Sequence, residues 1–544
     1  MIDRRGFVAS GLTGGALAVA SLVLPEPLRA ERRRVPRWTA PSFALEEHTI
    51  ADLVVAMESG RETSRSLVEQ YFARMDAIDR DGPALRAVVE RNPDALTIAD
   101  GLDAERRAGH VRGPLHGIPI VVKDNIATAD RMQSAAGSLA LVGAAVPRDA
   151  FIIERLRAAG VVILGKTNLS EWANFRSTHS SSGWSGRGGQ TRNPYALDRT
   201  PSGSSSGSAV AVAANLCAAG VGTETDGSIL SPSAVCALVG LKPTVGLLSR
   251  AGIVPISHTQ DTPGPMARTV RDAALLLGAM TGVDARDSAT ASSQGRSQGD
   301  YTRYLDAGGL RGARIGVARK KFFGYSDTTD RVIDTALDVL RREGAVLVDP
   351  ANLSTAGQYD DAELEVLLYD FKADLNRYLG ELGPDAPVHT LADVIAFNAA
   401  HRDAEMPFFA QELMLQAEAK GPLTDAGYVK ARARCRRLSR AQGIDRTMDV
   451  HRLDAIVAPT QGPAWLIDLV NGDPSGGGNS TSPAAVAGYP SITVPAGNAF
   501  GLPIGLSFMG RRYHEGVLLR LAYAFERATT ARTPPAFLPT VALT

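Results

Sequence analysis

Apolar and polar positions along the chain alternate between two periods. From about Thr49 to Ala108 apolar residues recur at helical spacing, and Ser64-Arg65-Ser66-Leu67-Val68-Glu69 has the form of a capped helix start. The character then changes. Ile118-Pro119-Ile120-Val121-Val122-Lys123 is a short apolar run ending on a lysine. Phe151 to Ala159 is helical in pattern, and Val161 to Leu164 reads as a buried strand. Helix followed by buried strand is the rhythm of an α/β protein.

The rhythm continues toward the C-terminus. Ser205 to Ala214 has the small residues of a tightly packed helix, with strands expected at Cys217 to Gly222 and Leu238 to Leu241. Arg314 to Val317 and Ala345 to Val348 read as strands around a helix over Asp330 to Arg342. Residues 362–442 are mostly helical and more polar. Further strands are expected at Ala455 to Val457, Ser491 to Val494 and Ile504 to Phe508, before a closing helix over Glu515 to Ala528. There is no repeat of fixed period and no clear dividing linker, so the pattern predicts one large α/β domain with a helical insertion at about 362–442. Two Gly/Ser-rich loops, Ser177 to Asn193 and Gly472 to Ser482, are of a kind that often borders active sites.

The N-terminus stands apart from this pattern. Arg4-Arg5-Gly6-Phe7-Val8 precedes a weakly apolar run from Gly11 to Leu24, and Leu28-Arg29-Ala30 offers a small residue for cleavage. That run is too short and glycine-rich for a stable membrane span. Residues 1–30 therefore read as a twin-arginine export signal, with 31–544 as the folded, periplasmic or secreted protein. An accidental arginine pair before an irregular start is the alternative.

Composition narrows the partners. Lys plus Arg and Asp plus Glu balance at 58 each in 544 residues. This gives no reason to expect nucleic acid or an anionic membrane surface. The three cysteines, Cys217, Cys236 and Cys435, cannot all pair within one chain. Cys217 and Cys236 lie in small apolar surroundings and read as buried core residues, and no pair has zinc-ligand spacing.

Three stretches carry candidate chemistry. In the first, Gly113 to Asp124, Lys123 ends the apolar run. It reads either as a packed stem with its ammonium in water, or as a buried base whose pKa, ~10.4 in water, is lowered by desolvation. The second is Pro201-Ser202-Gly203-Ser204-Ser205-Ser206-Gly207-Ser208. It is either a capped helix start or a turn that presents N–H groups and hydroxyls to an oxyanion. The third, Gly222-Thr223-Glu224-Thr225-Asp226-Gly227-Ser228-Ile229, follows a buried strand. It is either an acidic surface turn or an oxyanion-binding turn.

Taken in order, these stretches resemble the amidase signature family. Gly203-Ser204-Ser205, Gly227-Ser228 and Gly240-Leu241-Lys242-Pro243-Thr244 match its hallmark blocks. Gly165-Lys166-Thr167-Asn168 and Pro503-Ile504-Gly505-Leu506 fit as well. The resemblance runs from about Thr49 to the C-terminus, with its core at 113–267. It implies a single domain whose mixed central β-sheet is covered by helices on both faces. It further implies an amidase that cleaves a carboxamide C–N bond through an acyl-enzyme, with no metal or organic cofactor. Ser228 would be the nucleophile and Lys123 the base. Ser204 would be the bridging serine after a cis Gly203–Ser204 peptide, and Ser205 a secondary hydrogen-bonding candidate. The backbone N–H groups of Thr225, Asp226, Gly227 and Ser228 would hold the oxyanion.

Departures from the usual pattern refine this. Glu224 replaces a common Asp, Asp226 and Ser206 replace Gly, and Leu230 replaces a frequent Arg. The Asp226 carboxylate must then point away from the oxyanion. The variant turn, with Thr259-Gln260-Asp261-Thr262-Pro263-Gly264-Pro265-Met266 downstream, is similar to the bacterial peptide amidase branch, which releases ammonia from C-terminal peptide amides. A glutamine-hydrolysing amidotransferase A-type subunit, or an amidase for aliphatic or aryl amides, is the alternative within the family. The expected partner is a small-molecule or peptide amide, with no stable membrane association and a monomer or homodimer as the assembly. A Ser-His-Asp hydrolase with a G-x-S-x-G elbow and His116 or His258 as base is a further alternative. Trp172, Tyr195, Phe408 and Phe409 are open between pocket lining and core.

Overall fold

The computed structural model describes residues 38, 40–474 and 478–541. The leader expected over residues 1–30 lies outside them. The short apolar runs become strands: β1 Val88–Arg91, β2 Pro119–Lys123, β3 Val162–Thr167, β4 Ala219–Glu224, β5 Val239–Lys242, β6 Thr262–Ala267, β7 Arg314–Val317, β8 Val346–Val348, β9 Ala455–Pro459, β10 Ser491–Ala499 and β11 Leu502–Met509. They form one sheet in the order β1-β3-β2-β4-β6-β5-β10-β11-β9-β7-β8. β3, β2 and β4 run parallel, as do β9, β7 and β8. The strands between these two blocks pair antiparallel, so the sheet is mixed.

The parallel blocks are the apolar runs with no alternation. β2 and β3 are buried along their whole length, as strands covered on both faces must be. Helices Ser206–Ala213, Leu230–Val235, Val270–Met280, Asp327–Arg342 and Glu515–Thr529 pack against the sheet. Their apolar faces and the strands share one continuous core. Residues 360–451 add further helices, among them Asp360–Gly380, Leu391–Ala400 and Ala426–Arg436. The helix start expected at Ser64 is capped by Thr63, whose hydroxyl accepts from the Ser66 N–H. No helix among the described residues is long and apolar enough to cross a membrane.

Two strands of this sheet depart from the sequence reading. Val88–Arg91 lies inside the stretch read as helical, between the helix-breaking pairs Gly82-Pro83 and Asn92-Pro93. Thr262–Ala267 carries two prolines, which argue against a strand inside a sheet. It is tolerated because Pro263 and Pro265 pair only with Thr223 and Val221 of β4. The ladder to β5 uses Met266 and Ala267 alone.

Candidate active site

β2 and β4 are parallel neighbours, in register at Val122 and Val221, so their C-terminal ends lie side by side. Lys123 is the last residue of β2, and Thr223 and Glu224 end β4. The Ser-rich turn enters the Ser206–Ala213 helix beside them. This is the position where α/β sheets collect function.

Lys123 is fully buried. Its Nζ lies 2.8 Å from Ser204 Oγ and 2.9 Å from Thr223 Oγ1, and donates to the Thr223 carbonyl at 3.2 Å. Burial pushes its pKa down to about 7, against the opposing pull of Asp261 and Glu224. A neutral lysine has two N–H bonds and one lone pair. Ser204 Oγ and the two Thr223 oxygens are the three hydrogen-bond neighbours of Nζ. Asn125 Nδ2 donates to the same Thr223 Oγ1 at 3.0 Å, which fixes that hydroxyl in place.

Ser204 follows a cis Gly203–Ser204 peptide, and its carbonyl accepts from the Ser170 N–H at 3.1 Å. Gly203 has no room for a side chain, since a Cβ there would lie 2.2 Å from Ser170 Oγ. Ser205 ties three segments together. Its N–H donates to the Ser228 carbonyl at 3.1 Å. Its Oγ donates to the Thr223 carbonyl at 3.0 Å and accepts from the Thr223 N–H at 3.2 Å. The Ser-rich turn and the Ser228 turn are thus locked to the end of β4.

The turn after β4 is closed by Glu224, whose Oε2 accepts from the N–H groups of Ile229 at 2.7 Å and Leu230 at 2.9 Å. Its pKa is raised by burial. Gly227 sits at φ +77°, in the left-handed region that favours glycine. Among the described residues, none of the N–H groups of Thr225, Asp226, Gly227 and Ser228 donates to a protein acceptor. Ser228 is 8% exposed. The Asp226 carboxylate is engaged by Thr481 Oγ1 at 2.5 Å, and burial raises its pKa. Thr225 Oγ1 donates to Asp261 Oδ1 at 2.6 Å, and Gln260 Nε2 bridges the Thr225 carbonyl and Glu363.

The sequence-predicted residues therefore converge on one place. Lys123, Ser204 and Ser205 join in one hydrogen-bond network with Thr223, and Ser228 joins it through its carbonyl. Six partners have no role in the sequence reading: Thr223, Asn125, Ser170, Asp261, Thr481 and Glu363. Thr223 and Asp261 lie inside stretches that reading marks, but a hydroxyl that fixes a lysine and a carboxylate that fixes a turn have no spacing signature. Glu363 reaches the turn from the Asp360–Gly380 helix, which no local pattern connects to it.

Other candidates resolve as structural. His116 is buried, with its ring nitrogens 2.9 Å from the Leu102 carbonyl and 3.3 Å from the Arg112 nitrogen. His258 Nδ1 lies 2.8 Å from Asp374 Oδ2. All three cysteines are free and buried, and burial pushes the Cys217 thiol up to about 12. Trp172, Tyr195 and Phe409 are buried, whereas Phe408 is exposed.

A family model described as Amidase matches residues 66–519. The chain belongs to the amidase family. It is similar to the native peptide amidase from Stenotrophomonas maltophilia, with 53% sequence identity and a TM-score of 0.88 over 91% of this chain and 100% of that one. A probable amidase of Arabidopsis thaliana is 44% identical, covering 91% of this chain and 93% of its own. The A-type subunit of the glutamyl-tRNA(Gln) amidotransferase from Alkalilimnicola ehrlichii is 34% identical, over 89% and 98% respectively. As a member of the amidase family, the chain is a hydrolase of amide C–N bonds.

Proposed function

We propose that the chain hydrolyses carboxamides by a Ser228–Ser204–Lys123 relay, and that its substrates are C-terminal amides of peptides. The observation that carries this reading is the 2.8 Å approach of Lys123 Nζ to Ser204 Oγ in a site whose burial brings the lysine's pKa down to about 7. Lys123 takes the Ser204 hydroxyl proton as Ser204 takes that of Ser228, and Ser228 Oγ bonds to the carbonyl carbon. The carbonyl electron pair moves to oxygen, and the N–H groups of residues 225–228 stabilise it. The intermediate collapses with C–N cleavage. The relay returns the proton to the leaving nitrogen, so a primary amide releases ammonia. Water then attacks the acyl-enzyme by the same relay and frees the acid and Ser228.

The peptide assignment rests on the turn sequence and on the likeness to the peptide amidase. The test is a panel of peptide amides, amino-acid amides, aliphatic amides and aryl amides, with ammonia or amine release measured on the isolated chain. Peptide amides should lead by kcat/KM. Ser228→Ala should cost roughly 10⁴-fold or more in kcat, and full activity in that variant would remove Ser228 from its role. The likeness to the amidotransferase chain favours a second reading, for which ammonia would come from glutamine only when partner proteins are added. The arginine pair at residues 4–5 supports export of the folded enzyme. Replacing both arginines by lysine should hold the chain in the cytosolic fraction.

A further inference from the structure

Thr481 Oγ1 has two oxygen neighbours and one proton to give. It lies 2.5 Å from Asp226 Oδ1 and 2.7 Å from Asn479 Oδ1. Turning the Asn479 amide does not supply a second proton, because its Oδ1 also accepts from the Thr481 N–H at 2.8 Å. Ser480 holds the segment in place at the end of β9. Its N–H donates to the Thr460 carbonyl at 3.1 Å, and its Oγ donates to the Pro459 carbonyl at 2.7 Å. Thr481 also closes on the Ser228 turn: a Cβ at Gly227 would lie 3.0 Å from its Oγ1.

Counting protons places one on Asp226. If Thr481 donated to an ionised Asp226, its Oγ1 would face the Asn479 carbonyl oxygen at 2.7 Å with no proton between them. If Thr481 donates to Asn479, the contact with Asp226 takes its proton from the carboxyl, and both short contacts are hydrogen bonds. The surroundings favour the neutral acid. Asp226 has for neighbours Glu224 of its own turn, Asp360 and Glu363 of the helix Asp360–Gly380, and the hydroxyls of Tyr359 and Ser482. Lys242 of β5, the cation of this group, donates to the Pro243 carbonyl. Glu363 Oε1 accepts from Gln260 Nε2 at 2.8 Å, a contact that asks for no carboxyl proton. Burial, and the like charge of Asp360, raise the Asp226 pKa.

We propose that Asp226 is a neutral carboxylic acid in the folded enzyme, donating its proton to Thr481 Oγ1, and that through this bond Thr481 is a positioning residue for the oxyanion turn. The bond ties the turn to residues 479–481 and leaves no negative charge between Thr225 and Gly227, where the N–H groups are to receive an oxyanion. A carboxylate there would repel the developing charge in buried surroundings. An aspartate can thus stand where the family pattern has glycine. The role of the turn rests on the amidase reading of Ser228; the place of the proton does not.

The experiment is infrared difference spectroscopy of the carboxyl region at pH 7, on the chain without substrate. Asp226→Asn should lose a protonated-carboxyl band that Glu363→Gln keeps. Thr481→Val removes the acceptor of the proton, so in that variant the same band should move to higher frequency. A band that survives in Asp226→Asn, that disappears in Glu363→Gln as well, or that does not move in Thr481→Val would overturn the assignment. The Tm gives a second reading. A folded state that keeps a proton the unfolded chain releases near pH ~3.9 loses stability as pH rises. The Tm of Asp226→Asn relative to the wild type should therefore climb from pH 5 to pH 7, and a flat or falling difference would count against the neutral acid. For the positioning role, Thr481→Val should lower kcat on a peptide amide about 10-fold with KM little changed, the loss of one buried hydrogen bond. Thr481→Ser, which keeps the hydroxyl, should restore it. A wild-type kcat in Thr481→Val would overturn that role. Because the band is read without turnover, a chain that shows it yet hydrolyses no amide would refute the relay and leave the Asp226 proton in place.

Discussion

Lys123 Nζ lies 2.8 Å from Ser204 Oγ, and among the described residues no carboxylate pairs with that nitrogen. The absence of a paired carboxylate decides the lysine's charge. A bonded Asp or Glu would hold the ammonium form; with Thr223 and Ser204 as its hydrogen-bond neighbours, burial brings the pKa down to about 7, so a large share of the amine is unprotonated at that pH.

The first prediction concerns pH. The base is competent only when deprotonated, so kcat/KM should rise with pH, pass through a limb near pH 7, and then level off. Below that limb each unit of pH should cost about tenfold. Lys123→Ala should remove the limb together with most of the rate. A profile flat down to pH 5 would show that the titrating base is another group.

Thr223→Val tests how the lysine is aimed. The change keeps the side chain's shape and removes the hydroxyl shared by Lys123 and Asn125. One lysine N–H and one amide N–H then lose their acceptor in a buried site, at a cost of about 1–3 kcal/mol. If the transition state bears that cost, kcat should fall roughly 10- to 100-fold with KM little changed. A rise in KM alone would place Thr223 in substrate binding instead.

The strands that the sequence announces are the unbroken apolar ones, such as the Val162-Ile163-Leu164 run of Val162–Thr167, because burial on both faces leaves a run that needs no partner to be recognised. Thr262–Ala267 escapes because its prolines fit only a ladder that is incomplete on one side, and that is a property of its neighbours. The site divides in the same way. Lys123, Ser204 and Ser228 are legible through ordered motifs. Thr223 and Ser170 act by holding those residues, through contacts that sequence spacing does not encode. Glu363 arrives from a helix that begins 132 positions after Ser228.

Gly203→Ala should damage both fold and activity. The new methyl group would stand 2.2 Å from Ser170 Oγ, in the turn that presents Ser204. Overpacking of this kind costs about 1–3 kcal/mol, and any shift of Ser204 away from Lys123 breaks the relay. Adding Ser170→Ala removes the clashing oxygen while keeping the backbone N–H that binds the Ser204 carbonyl. The double variant should therefore recover part of both Tm and kcat. Additive losses would mean that the two residues do not meet in this way.

The last prediction lies beside the site. Arg176 is fully buried, bonded to Glu171 and within 3.8 Å of Glu405, which are also buried. Its guanidinium lies 4.2 Å from the Phe409 ring centroid and 5.2 Å from that of Trp184. Arg176→Met keeps much of the packing but leaves two buried carboxylates without their cation. Removing one partner of a buried pair typically costs about 3–5 kcal/mol. Burial already pushes Glu171 up to about 8, with Arg176 opposing the rise. In the variant that opposition is gone, so the folded state should hold the Glu171 proton more firmly than the unfolded chain does. A folded state that binds more protons than the unfolded one loses stability as pH rises. The part of the Tm deficit of Arg176→Met that comes from Glu171 should therefore be constant from pH 5 to about pH 7 and grow as pH rises through 8, where the wild-type carboxyl ionises and the variant's does not. Adding Glu171→Gln, which needs no counter-charge, should recover part of the deficit above pH 8 and little at pH 5. A deficit independent of pH would mean that packing against Phe409 and Trp184, and not charge, is what Arg176 contributes.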